Sequence, residues 1–337
     1  MMVLIALGLG AGLVSALLFA AAGTGSIPAV LLMYLAPLPI LIVALGWHHL
    51  LGLLALACGA LATTMLMRPA AGTAFALGPA LCAWVLAYAA LARRPELRAT
   101  AERRGSVGLL PDGWYPVGWL LLILGVAGGL IALGSLAAAM GGDYASYEEA
   151  LKQVISALVS REPRGARPGQ PPTSDLLGSD FVRILVALAP ALLAGMLTLI
   201  LGVNLWLAGK VVAISGRLSR PWPDIAAARM PAAAVAAALV GTFLSQSRGF
   251  VGVAGAALAG GLTMAFALQG LALLHFVSRH RPGRGLLLSV AYFLTIVLGY
   301  VFLPAFALIG MADTMLPLRR MLGRAGHPPF PPKPPQT

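Results

Sequence analysis

Long apolar runs, separated by short polar or proline-bearing breaks, fill most of the chain. Residues 3–22, 27–45, 49–66, 70–92, 116–140, 181–208, 230–245 and 250–277 each read as a helix. Most approach the ~20 residues that a hydrocarbon core demands. The last run, 285–318, is too long for one ordinary span and short for two. One span would strand Arg319, Arg320, Arg324 and Lys333 opposite the other bases, so two short segments broken near Pro304 are favoured. Alternating apolar segments of ~10 residues, the mark of a membrane barrel, do not occur. The pattern predicts an all-α polytopic transmembrane helix bundle of about 9–10 membrane segments, together with one amphipathic outer helix.

The polar stretches divide this pattern into units. Residues 1–92 read as an N-terminal four-span bundle with short turns, and 1–22 as a retained first helix, since no basic stretch precedes its apolar run. Residues 93–115 form a basic loop, 116–140 the fifth span, and 181–318 the C-terminal spans. In 141–180 acids (Asp143, Glu148, Glu149, Glu162, Asp175, Asp180) outnumber bases, which suits an extracytoplasmic segment. Tyr144, Tyr147, Leu151, Val154 and Leu158 share one helical face there, and Ser146 with Glu149 fits a capping box. A Pro/Gly-rich linker follows. The tail, 319–337, is basic and Pro-rich and is expected to be disordered.

Composition narrows the class. Hydrophobic residues make up 59% of the 337 and charged residues 10%, against roughly 25% charged in a soluble domain. The net charge of +12 falls in short loops between apolar runs. That is the signature of cytoplasmic loops, not of nucleic-acid binding, which would interleave dense Arg with aromatic residues. The expected location is a bacterial inner (cytoplasmic) membrane, multi-pass, with a cytoplasmic N-terminus. Cys58 and Cys82 both lie inside apolar runs and read as packing residues. No metal-ligand spacing, nucleotide loop or nucleophile elbow occurs, so no enzyme, cofactor or metal site is expected.

Two kinds of feature carry candidate chemistry. Pro37 and Pro39 interrupt the second span beside Tyr34, and a broken helix frees backbone groups that can bind a ligand at membrane depth. Asn204, Gln269, His275 and Asp313 are polar residues inside apolar runs. Such groups turn toward a bundle interior, as interhelical hydrogen-bonding partners or as ligand contacts. With Trp206, these make the candidate cavity Tyr34, Pro37, Pro39, Asn204, Trp206, Gln269, His275 and Asp313. Asn204, Gln269 and His275 are expected to point into the bundle, away from lipid, and to meet near one another or at a shared cavity. Small residues four apart (Gly8/Gly12, Gly125/Gly129, Gly252/Ala256/Gly260) suit close helix packing within the chain or docking of a second membrane protein.

Four segments carry a family resemblance: YLAPLPILIVALGW (34–47), NLWLAGKVVAISGRLSRPWPD (204–224), QGLALLH (269–275) and GMADTMLPLRR (310–320). They resemble the YybS-like family of uncharacterised bacterial membrane proteins, in its alphaproteobacterial form. That family is distantly similar to energy-coupling-factor substrate-binding membrane subunits and to the rod-shape protein MreD. The resemblance implies a membrane bundle with a ligand cavity, hence a substrate-binding or transport-type protein. The alternative is a non-catalytic scaffold or assembly factor related to cell-envelope morphogenesis. Expected partners are the lipid bilayer, a small-molecule ligand and another membrane protein, with no nucleic acid.

The topology has a direct test. Loops at Arg98, Arg217 and Arg281 are expected in the cytoplasm and Glu148 outside. In a Cys58→Ser, Cys82→Ser background, an impermeant thiol reagent applied to intact cells should label Glu148→Cys and spare Arg98→Cys. Labelling of Arg98→Cys contradicts the orientation.

Overall fold

The computed structural model describes residues 1–93, 114–140, 144, 146, 148–151, 153, 179–279 and 281–324. Among these residues there is no strand, only an isolated bridge between Arg93 and Trp114. The helices are α1 (Met2–Ala20), α2 (Ile27–Tyr34), α3 (Pro37–Gly46), α4 (His49–Leu66), α5 (Pro69–Phe75), α6 (Leu81–Leu91), α7 (Val117–Met140), α8 (Ser179–Ile214), α9 (Ala232–Leu244), α10 (Gly249–Val277), α11 (Arg284–Val297), α12 (Gly299–Met315) and α13 (Leu318–Arg324). The protein is an all-α polytopic bundle. Among the described residues, seven stretches are long and apolar enough to cross a membrane: Met2–Thr24, Ile27–Gly46, His49–Leu66, Pro69–Leu91, Val117–Ala138, Ile184–Ile214 and Gly249–Val277.

Local sequence explains most of the boundaries. Pro28, Pro37 and Pro69 sit in first turns, where the missing N–H has no helical partner to lose. Between α5 and α6 the stretch Ala76–Ala80 kinks at Gly78, beside Pro79. α8 runs six residues past the expected end of its span and stops at a Schellman motif. There the Gly216 N–H meets Ala213 O and the Arg217 N–H meets Val212 O, both near 3 Å. Gly216 has φ +66, the left-handed conformation that this cap requires.

Two expectations need correction. The run 230–245 yields only the 13-residue α9, because Pro231 bars helix before it and the chain there runs extended. The last run does break in two, but at Leu298 (φ −119, ψ +41), not near Pro304, which lies inside α12. α12 runs antiparallel to α10: a Cβ added at Gly270 would strike Phe306 O, and one at Gly310 would strike Phe266 O. α11, ~21 Å long at 1.5 Å per residue, is shorter than the ~30 Å hydrocarbon core. None of its residues is fully buried.

Two cores result. Ile40, Leu41 and Ala44 of α3 pack with Leu86 and Ala87 of α6, Leu120 and Leu124 of α7, and Leu201, Ala208 and Val212 of α8. The N-terminal spans thus share their core with later ones. Ala234 and Ala238 of α9 pack with Leu262, Ala265 and Phe266 of α10 and with Phe306 and Ala307 of α12. The small-residue stripes are used up in these contacts. Gly12 abuts Ala55 and Gly59 of α4, Gly125 and Gly129 abut α10, and Gly260 abuts Ala191 of α8. Of the two alternatives, close packing within the chain is what these glycines serve here.

Of the helix expected outside, Tyr144 and Leu151 pack against Val253 near the start of α10, as do Leu133 and Leu136 of α7. Tyr147, Val154 and Leu158, most of the basic loop and the tail from residue 325 lie outside the described residues.

The close contacts set the cost of adding a methyl group. Gly260→Ala and Gly270→Ala force helices apart and should each lower stability by about 1–3 kcal/mol, the usual cost of overpacking. Gly134→Ala, with open space around it, should be neutral or stabilising. Unfolding of the detergent-solubilised protein measures both; equal effects at all three positions contradict the packing.

Candidate functional site

The first candidate site is the gap between α2 and α3. Pro37 and Pro39 have no N–H, so the carbonyls of Met33 and Leu35 lose their helical donors. Three-residue closures replace them: the Ala36 N–H reaches Met33 O at 3.1 Å and the Leu38 N–H reaches Leu35 O at 3.0 Å. Leu38 is thereby diverted from Tyr34, and the Tyr34 carbonyl is taken up from a distant helix. Asn204 Nδ2 donates to Tyr34 O at 2.9 Å and to Ile200 O, in its own helix, at 2.8 Å. Ser15 Oγ of α1 donates to Ala36 O at 2.7 Å. Asn204 is 1% exposed, and its Oδ1 has no partner among the described residues. An acceptor left dry in this way costs about 1–3 kcal/mol.

The second site forms where the start of α9 meets the last turn of α12. Gln269 of α10 is fully buried and joins the two. Its Oε1 accepts the Met230 N–H at 2.8 Å. Its Nε2 faces Gly310 O at 2.9 Å, with Asp313 Oδ2 and Thr314 Oγ1 each at 3.0 Å. Asp313, also fully buried, receives Arg319 through Nε at 3.0 Å and Nη2 at 2.8 Å. Arg319 Nη1 donates to Ala226 O at 2.8 Å, and Nη2 also meets Ala228 O. Arg229 donates to Thr314 O and Leu316 O, which α12 leaves free at its end. The buried charges cancel, and the extended chain entering α9 has its carbonyls satisfied by arginine.

Outside that cluster, Asp224 pairs with Arg279 and accepts the Ala226 N–H at 3.1 Å. The hydrogen bond from Arg279 holds the Asp224 carboxyl below the usual range and raises Arg279 in turn. The clasp is therefore intact above the ordinary carboxylate pKa and weakens as pH falls through the depressed one.

The eight sequence candidates thus separate. Tyr34, Pro37, Pro39 and Asn204 share the first site, and Gln269 and Asp313 the second. His275 belongs to neither: its Nε2 lies 2.8 Å from Tyr292 Oη of α11. The expected meeting of Asn204, Gln269 and His275 does not occur: Asn204 reaches Tyr34 O, Gln269 reaches Met230 and Gly310, and His275 reaches Tyr292. Trp206 is 46% exposed and stands outside both sites, with Lys210 Nζ 6.0 Å from its ring. Among the described residues no group of three metal-ligating side chains gathers. Sequence reasoning missed Ser15, Thr314, Arg220 and Arg319. Arg319 read as a topology marker, since it lies six positions after Asp313 with Pro317 between them, which is no helical spacing.

The family described as predicted membrane protein (DUF2232) matches residues 13–314, and the chain belongs to it. No curated protein and no solved structure matches the chain.

The Asp313–Arg319 pair has a clear energetic signature. Asp313→Asn and Arg319→Met should each cost about 3–5 kcal/mol, because each leaves the other charge buried and unpaired. The double variant should cost less than the two combined. A double-mutant cycle from chemical unfolding in detergent checks this, and simple additivity contradicts the pairing.

Proposed function

We propose that this member of the DUF2232 family is a substrate-binding or transport-type protein of a bacterial inner membrane, with its site at the α2–α3 break against α8. One observation carries the reading: Asn204 Oδ1 is a buried acceptor without a donor among the described residues, held at a proline-broken helix. Discontinuous helices at membrane depth are where transport proteins bind their cargo. The ligand class follows from the lining. The groups that meet at the break among the described residues are the Ser15 hydroxyl, the Asn204 amide and the Tyr34 and Ala36 carbonyls, beside the apolar Ile40 and Leu201, which suits a small neutral molecule bearing an N–H or O–H donor. The S-component-like plan implied by the YybS-like segments agrees, since Tyr34–Trp47 carries the break and Asn204–Asp224 begins with the acceptor. Cytoplasmic placement of the N-terminus and of the basic loops is part of the proposal, as is the absence of catalysis.

A second reading, a non-catalytic scaffold or assembly factor related to cell-envelope morphogenesis, draws on the other site. The Gln269 cluster is saturated by protein partners, as purely structural polar glue would be. The two readings differ in what Asn204 does for a ligand. A thermal-shift screen of small neutral donors against the detergent-purified protein should yield compounds that stabilise the wild type, by about 2.7 kcal/mol at a hundred times Kd. Asn204→Ala, which also frees Tyr34 O, should start about 1–3 kcal/mol lower and show no ligand shift. A compound that stabilises both proteins equally, or a screen in which none stabilises the wild type, removes the transport-type reading and leaves the scaffold.

A further inference from the structure

The loop between α8 and α9 holds a buried cation that the proposed ligand site does not use. Arg220 is 4% exposed. Its Nη1 donates to Ala90 O at 3.1 Å, in the last turn of α6, where free carbonyls attract positive charge. Its Nε and Nη2 have no partner among the described residues. These two groups are not arbitrary: they form one edge of the planar guanidinium, from which two parallel N–H bonds reach two oxygens of one anion.

Arg319 shows the same edge in use. Its Nε and Nη2 hold the Asp313 carboxylate while its Nη1 donates to a backbone carbonyl, Ala226 O. Arg220 repeats this arrangement on Ala90 O, with no carboxylate partner among the described residues. A buried charge lacking its counterion is strongly unfavourable, and burial pulls the Arg220 guanidinium down to about 10.

The surroundings select the anion. Lys210 Nζ lies 4.3 Å from the Trp222 ring, Arg217 lies 4.7 Å from Trp47, and Arg93, three residues after Ala90, lies 4.2 Å from Trp114. Tryptophan and basic residues gather in this way at the headgroup level of a membrane, where the abundant anion is phosphate. Arg217, Arg220 and Trp222 belong to one loop, which the Gly216 cap turns back from α8.

We infer that the Nε–Nη2 edge of Arg220 is a phosphate site, taking two phosphate oxygens of a lipid headgroup or of a soluble phosphate compound at the bundle end. The inference is independent of the Asn204 site.

The test uses full-length protein in a neutral detergent. Native mass spectrometry counts retained phosphatidylglycerol against a phosphate-free glycolipid of equal chain length. Thermal melting compares inorganic phosphate with acetate and chloride at equal ionic strength. A lipid source predicts selective retention of phosphatidylglycerol; a soluble source predicts stabilisation by phosphate alone. Either selectivity should weaken about tenfold or more in Arg220→Lys, which keeps the charge and loses the two-pronged edge. Arg220→Lys serves even if Arg220→Gln fails to fold. The inference is overturned if neither phosphate probe outperforms its control, if acetate acts as well as phosphate, or if Arg220→Lys binds like the wild type.

Discussion

Hydrocarbon offers no hydrogen bonds, so every backbone group inside a membrane needs a partner within the protein. This constraint organises the molecule. Regular helix meets it automatically, and the chain departs from regular helix at several places, among them the α2–α3 gap, the extended entry to α9, and the end of α12. At these three, side chains from elsewhere complete the backbone. Ser15 and Asn204 serve the first, Gln269 and Arg319 the second, and Arg229 the third. The buried polar residues of this apolar chain are largely explained as partners of broken helix.

Such short-range repair requires helices to approach closely. Glycine permits the approach at the points that matter. Gly118 lets α7 meet Arg229 O, just before α9 begins, and Gly270 with Gly310 brings α10 and α12 into contact beside Gln269. With bulkier residues the helix axes would separate, and Gln269 could not span from Met230 to Gly310. Packing and polar satisfaction are therefore one requirement here. A methyl group in the wrong place loosens a hydrogen-bonded cluster as well as a contact.

The polar inventory then sorts itself by saturation. The Gln269–Asp313–Arg319 cluster has its charges paired and its main acceptors filled, which marks it as architecture. Asn204 Oδ1 and the Nε–Nη2 edge of Arg220 lack partners among the described residues although both are buried. One is a neutral acceptor at a helix break, the other a cationic fork at a bundle end. Their chemistries differ, and so do the ligands they suit: a small donor-bearing molecule for one and a phosphate oxyanion for the other.

How much was legible in the sequence follows from range. Run length and proline position act locally, so most of the helices, the break at Pro37 and the all-α membrane class could be read from the chain alone, whereas the end of α8 at Gly216 was not. Asn204 and Gln269 were also legible as buried, because an amide in an apolar run is costly to leave facing lipid. Their partners were not. Asn204 meets Tyr34 across 170 residues, Arg220 meets Ala90 across 130, and Arg319 meets Ala226 across 93. The physical reason lies in the helices themselves. When every face of a helix is apolar, no hydrophobic periodicity fixes which face turns inward. That rotation was decided only in the tertiary structure, where glycine contacts set how near two helices come and unsatisfied carbonyls set which side chain must reach them.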